Sequence, residues 1–347
     1  MSKIEFTRRA LGAALLLAPG AALAADEGPI IAAARREGRL NVASAAPGEG
    51  FPKFLQAFRT RYPFLDVSTG LYVAPTGQVL ARVNAEINAA SDTFDAMLAA
   101  NMAAFVSMTA AGRLMRYDSS QYAKFPPMSY QPGYWGAAQA IGVIMAYNKN
   151  NLAPAAAPKS WVDLLKPSLK GGKIAIQNQA SGTTFNQMYM LEKVLGLEFL
   201  KKFAAQKPVI MATSAQVSDA VIRGEVLVGA TLDHWRAFEP SAIAAGVLPV
   251  YPTEGMPLAL APVGIVKGAP HPNAARLFMD FILSQAGQTL LDTRLYGMYS
   301  MRPDVPAPPG QRPLAETKPL LPSDLADYQR ASAVFPQHFD SIFRAAG

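Results

Sequence analysis

The sequence predicts an α/β protein built of mixed sheets flanked by helices, and three observations carry that prediction. Its 347 residues are half hydrophobic and only 16% charged, enough to bury large cores and long enough for about two domains. Short apolar runs alternate with segments whose apolar residues recur at helical spacing, as in parallel or mixed sheets with helices on their faces. Gly/Pro-rich turns punctuate the change from one to the other.

Residues 40–44 predict a first strand, followed by a turn over 46–50. Phe51, Phe54, Leu55 and Phe58 then share a helical face, and Tyr62-Pro63 stops that helix, because proline disfavours helical geometry in the residue before it. Residues 66–72 predict a second strand, and a second helix opening at 75–78 carries Val79, Leu80, Val83 and Ile87. A third strand over 94–98 leads into a helix after Asn101. Residues 140–148 form a long apolar strand, 153–158 a linker, and Ser160 the cap of a helix. The second series has strands at 172–176 and 226–230, a helix over 182–194, and an extended apolar segment at 258–266. Seven prolines between 302 and 322 forbid a regular helix there and predict an ordered extended arm, with disorder as the alternative.

The N-terminus predicts an export signal over residues 1–24. Lys3, Arg8 and Arg9 precede the uncharged apolar stretch 10–23, which is too short to span a bilayer and ends in the small-x-small pattern Ala22-Leu23-Ala24. A membrane anchor is the alternative. Thr7-Arg8-Arg9-Ala10-Leu11 resembles a twin-arginine signal, beside an ordinary secretory route. Beyond residue 24 the chain carries 29 basic and 24 acidic residues with no basic stripe interleaved with aromatics, so nucleic acid is not an expected partner.

Composition excludes much chemistry. The absence of cysteine removes disulfide scaffolds, zinc fingers, thiol nucleophiles and cysteine-held clusters. The three histidines, at 234, 271 and 338, are scattered, and no metal or cofactor is expected. No nucleophile elbow, phosphate-binding loop, zincin motif or dinucleotide fingerprint occurs, which predicts a protein that is not an enzyme.

Several segments, in order, resemble periplasmic substrate-binding proteins of bacterial ABC importers, in the branch of ferric-ion, sugar-phosphate and phosphonate binders. They are Ala57-Phe58-Arg59-Thr60-Arg61-Tyr62-Pro63, Ala81-Arg82-Val83-Asn84-Ala85-Glu86, Ala146-Tyr147-Asn148-Lys149 and Lys159-Ser160-Trp161-Val162-Asp163-Leu164-Leu165. Further on come Leu169-Lys170-Gly171-Gly172-Lys173-Ile174-Ala175 and the stretch from Gly268 to Phe281. The resemblance implies the type II periplasmic binding protein fold, two-lobed and joined by two hinge strands, with one ligand in the cleft. Residues 25–140 plus 260–305 are expected in one lobe, and 141–259 plus 306–347, the C-terminal arm, in the other. The segments 140–147 and 258–266 are the expected hinges.

Ligands of open α/β sheets sit beyond the carboxyl ends of strands, where helix N-termini favour anions. Three turns qualify: Ser44 to Glu49, Thr76-Gly77-Gln78, and Ser181-Gly182-Thr183-Thr184, each also readable as an ordinary cap. Asp233-His234-Trp235-Arg236 falls where the ferric-binding relatives carry adjacent tyrosines. Tryptophan cannot ligate iron through its N–H, so an organic ligand, stacked on Trp235 or His234 and paired with Arg236 or Asp233, fits better; the alternative puts Trp235 in the core and Arg236 on the surface. Tyr134 and Glu254 complete the candidates, with lobe packing and a solvent-facing turn as their alternatives.

The function expected is capture of a small organic anion (a phosphonate, phosphorylated compound or carboxylate) by hinge closure and delivery to a membrane permease and its ATPase. The protein is expected to be periplasmic and monomeric. The alternatives are a ferric-iron-binding protein of an iron importer and a periplasmic sensor.

Overall fold

A computed structural model describes residues 28–46 and 48–344; the segment read as an export signal lies outside them. Among the described residues eight of eleven strands lie along one path and three more pair onto it, and the path divides into two sheets sharing one strand. The first sheet takes β1 (Val42–Ser44), β2 (Leu71–Val73), β3 (Ala96–Leu98) and β10 (Met256–Ile265), ordered β2-β1-β3-β10 and continuing into β5 (Trp135–Asn148). Strands β1, β2 and β3 are parallel, whereas β10 runs antiparallel to both β3 and β5. The short β4 (Tyr130–Gln131) pairs with the start of β5.

The second sheet begins on the same β5. Residues 135–142 of that strand pair with β10, and residues 143–148 pair with β8 (Val228–Asp233) on one side and β9 (Val247–Val250) on the other. Strand β6 (Ile174–Gln177) continues the order, parallel to β8 and to β7 (Val209–Met211). Every residue of β5 is buried, which is why it reads as a continuous apolar run rather than an alternation. It starts five residues earlier than the sequence suggests, because residues 135–137 pair with the far half of β10 and residues 135–136 also pair with β4.

Helices cover both sheets. In α2 (Gly50–Arg61) the periodic Phe51, Phe54, Leu55 and Phe58 are all buried, and Phe58 meets Phe278 of α9 (Pro272–Leu283) edge-on at 5.6 Å. The helices α1 (Pro29–Glu37), α3 (Thr76–Ala89) and α4 (Met102–Ala110) belong to the same half. The other half holds α5 (Gly182–Leu195), α6 (Leu197–Ala204), α7 (Ser214–Arg223) and α8 (Pro240–Ala245). After α9 come the short α10 (Gln285–Gln288) and a π-helical segment, Thr289–Tyr296.

Three elements depart from the sequence reading. The second strand is confined to β2, because the Asp66 carboxylate accepts the Ser68 N–H and the Ser68 and Thr69 hydroxyls at 2.7–2.9 Å and closes a turn instead. The helix expected at Ser160 is a 3-10 turn, Val162–Leu165, with Ser160 Oγ accepting the Asp163 N–H at 3.1 Å. Strand β8 extends to Asp233, carrying Thr231 and Leu232 into the sheet.

The chain passes between the halves three times. The first passage is β5 at Gly142-Val143, and the second leads from β9 into β10. The third is the proline-rich arm. Tyr299 and Ala140 exchange both backbone hydrogen bonds (2.9 and 3.1 Å), and β11 (Pro319–Leu320) then pairs with the start of β10. The chain ends in α11 (Leu325–Phe343), which packs on α4, α5 and α6.

Candidate functional site

The two sheets present the carboxyl ends of their parallel strands to each other. From the first come the loops after β1 and β3; from the second, the starts of α5 and α7 and the turn after β8. They touch where a Cβ placed on Gly182 would collide with the carbonyl oxygen of Ala100. Glycine is needed there to let the backbone of one half approach the other.

The second-sheet wall gathers around Asp233. Burial pushes its carboxyl pKa up, while the side chains of Thr183, Ser214 and Gln177 and the charge of Arg236 oppose that rise. Ser181 Oγ and Thr183 Oγ1 lie 2.8 Å apart at the first turn of α5. The Arg236 guanidinium stacks over the Trp235 ring at 4.1 Å, and one of its NH₂ groups donates to Glu239 Oε1 at 3.1 Å. Asp233 Oδ1, Trp235 Nε1 and Arg236 Nε are buried without a hydrogen-bond partner among the described residues. Unpaired buried polar atoms cost about 1–3 kcal/mol each, so these three, with His234 Nε2 a fourth on the same turn, mark a place where a guest can repay that cost. Trp235 packs against Ile141, Ala259 and Met298, beside Ala100 and Tyr296. One tryptophan therefore touches both halves and the strands that join them.

Other candidates lie elsewhere. His234 is fully buried and turned into the hinge, not the cleft. Its ring stacks on Tyr299 at 4.5 Å and 9°, and the Gly142 N–H donates to Nδ1 at 3.0 Å. Desolvation holds its pKa down at about 3. Gly142 leaves room for Met256 on its other side, where a Cβ would strike the Met256 sulfur. Glu254 is a capping group: its two oxygens accept the N–H groups of Trp161 and Val162 at 3.0 and 3.2 Å, at the start of the 3-10 turn. Tyr134 precedes β5, with its carbonyl against Gly264. At about 3.3 Å per residue it stands roughly 30 Å from Val143 along that strand, remote from Trp235.

Ser44 is fully buried, and its Oγ accepts the Ala46 N–H at 3.1 Å, bracing its own turn. Thr76 and Gly77 form the first residues of α3, half-buried and exposed respectively, on the first-sheet wall. Thr184 is fully buried on the face of α5 from which Gln187 donates to the Ala230 carbonyl at 2.6 Å. Sequence reasoning missed Gln177, Ser214 and Tyr296. The first two are polar residues at the end of β6 and just beyond β7, the position that mattered for Asp233, and that position was their available signal. Tyr296 has burial pushing its pKa up to about 12 and lies beside Gly50 at the start of α2. Among the described residues no group of three or more His, Asp or Glu side chains is placed to hold a metal ion.

Two α/β halves joined by shared strands, with polar groups left open on the turn between them, define a two-lobed binding protein. The family model for bacterial extracellular solute-binding proteins matches residues 41–298, and the chain belongs to that family. Over 269 residues it is 27% identical to an uncharacterized protein of Haemophilus influenzae, covering 74% of this chain and 76% of that one. Iron-bound HitA from Pseudomonas aeruginosa superposes with a TM-score of 0.76 at 22% identity, covering 89% of this chain and 99% of that one. The periplasmic binding protein AfuA from Actinobacillus pleuropneumoniae, with fructose-6-phosphate bound, gives 0.73 at 21%, covering 88% and 98%. Relatives of one fold thus carry a metal ion or a phosphorylated sugar.

Proposed function

We propose that this protein is the periplasmic receptor of an ABC uptake system, that it closes on a small organic anion between its lobes, and that it hands the solute to a membrane permease unaltered. Membership of the solute-binding family supports the receptor role. The organic anion rests on one observation: the buried, unpartnered N–H groups of Trp235 and Arg236 beside the start of α5. Two fixed donors, one of them cationic, next to a helix N-terminus suit a phosphonate, phosphate or carboxylate group. A ferric ion would need hard anionic oxygens; at the tyrosine position of the iron-binding branch stand a histidine consumed by the hinge and an indole that cannot ligate.

Native mass spectrometry of the purified protein, followed by thermal shift and calorimetry with phosphonates, phosphorylated compounds and carboxylates, tests the reading. An organic mass or a saturable anion is expected, and Arg236→Gln and Trp235→Phe should each weaken it about tenfold, as loss of one hydrogen bond to a charged group implies. A stoichiometric iron ion, or anion affinity unchanged in both variants, overturns the anion reading. Turnover of an ester or phosphate substrate overturns the receptor reading.

A further inference from the structure

The C-terminal helix α11 has two opposed faces. At 100° per residue, Tyr328, Phe335, Phe339 and Ile342 fall on one side, and Ala326, Gln329, Arg330 and Ala333 on the other. The aromatic face is fastened to the second lobe. Phe185 of α5 meets Tyr328 and Phe335 at 4.7 and 5.1 Å, and Phe203 of α6 meets Phe343 at 5.7 Å. Polar contacts reinforce it: the Tyr189 hydroxyl donates to Asp327 at 2.8 Å, His338 Nε2 lies 2.8 Å from Glu192, and Gln179 Nε2 donates to Asp340 at 3.1 Å.

The opposite face rests on α4, which belongs to the first lobe and begins just after Ala100. That contact is close but carries little polar bonding. Gln329 Nε2 donates to Ser107 Oγ at 2.8 Å, while Ser107 donates to the Ala103 carbonyl. Around this bond the facing residues Ala103, Ala104, Ala326 and Ala333 are small, and a solvent-open groove of about 470 Å³ runs along the two helices. A helix held to one lobe by stacked rings and three polar contacts, and to the other by this one bond over small side chains, is the arrangement of a catch.

We propose that α11 is a latch: it travels with the second lobe, and its Gln329–Ser107 contact on α4 must break whenever the lobes part. The latch rests on the reading that the lobes open and close around the solute. The bond holds the closed state, so it sets how often the empty receptor opens.

The test needs no solute. The chain has no cysteine, so spin labels at Val73→Cys and Val209→Cys report the distance between β2 and β7, the outermost strands of the two sheets. Gln329→Ala should raise the open population about two- to tenfold, the range implied by one hydrogen bond. Ser107→Ala should do the same, and the double variant should add nothing more. Separately, joining Ser107→Cys to Gln329→Cys with a short bismaleimide should abolish the open form in small-angle scattering. Open and closed populations that ignore Gln329→Ala and survive the bridge would overturn the latch and leave lobe motion standing. A single unchanging distance in every variant would overturn lobe motion and the latch with it.

Discussion

Acidification should loosen this protein through His234. The ring is fully buried between Tyr299 and the backbone of Gly142, and its pKa falls from 6.5 to about 3 because burial penalises the charged form. The unfolded chain binds a proton near pH 6.5 and the folded chain does not until about pH 3. Stability from this group is therefore present above pH 6.5 and is lost as pH falls through that window. The slope is about 1.4 kcal/mol per pH unit, so moving from pH 7 to 4.5 should cost about 2.5 kcal/mol from His234 alone. Other groups titrate over the same range, so the reading is a difference. Urea unfolding of wild type and His234→Gln at both pH values should show wild type losing about 2.5 kcal/mol more than the variant. With three histidines in the chain, the variant also assigns the His234 resonance in a proton spectrum. Equal losses in the two proteins, or a His234 ring titrating near 6.5, would refute the assignment of this residue to a dry hinge.

Three further outcomes follow from the site. Glu254→Gln should lower stability by about 1–2 kcal/mol, as loss of a charged cap does, with solute affinity unchanged; melting curves and calorimetry separate the two effects. Gly182→Val should hold the lobes apart at the Ala100 carbonyl; a longer interlobe distance by spin labelling with an unchanged melting temperature is expected. Gly142→Val, whose side chain would meet Met256, should instead damage the hinge and lower the melting temperature, by overpacking worth about 1–3 kcal/mol.

The sequence made the alternation of strand and helix legible wherever local periodicity carries it. The four apolar positions of α2 and the span of α5 came through nearly intact, because burial on one face leaves a 3.6-residue trace. It did not show which polar residues face the cleft. His234 and Trp235 are neighbours, yet one enters the hinge and the other the space between lobes. The deciding contact for His234 is Tyr299, far along the chain, and no spacing rule encodes it. Glu254 was misassigned for the same reason: its partners, the amides of Trp161 and Val162, lie more than ninety positions upstream. The second strand failed differently. There a local competition, the Asp66 carboxylate against the sheet, favoured the turn. Helix α11 contains Pro336 within its length, and the aromatic contacts to α5 and α6 support the helix despite it.

The third passage of the chain has a mechanical meaning. Two adjacent ribbons would let a pair of jaws both swing and twist, because they define little more than a line. The arm is bonded to both ribbons, at Tyr299 to Ala140 of the first and through Pro319–Leu320 to the second, so any movement of the halves would have to carry a third strand with it. The register of the two halves, with Gly182 against the Ala100 carbonyl, is thus braced by three strands instead of two.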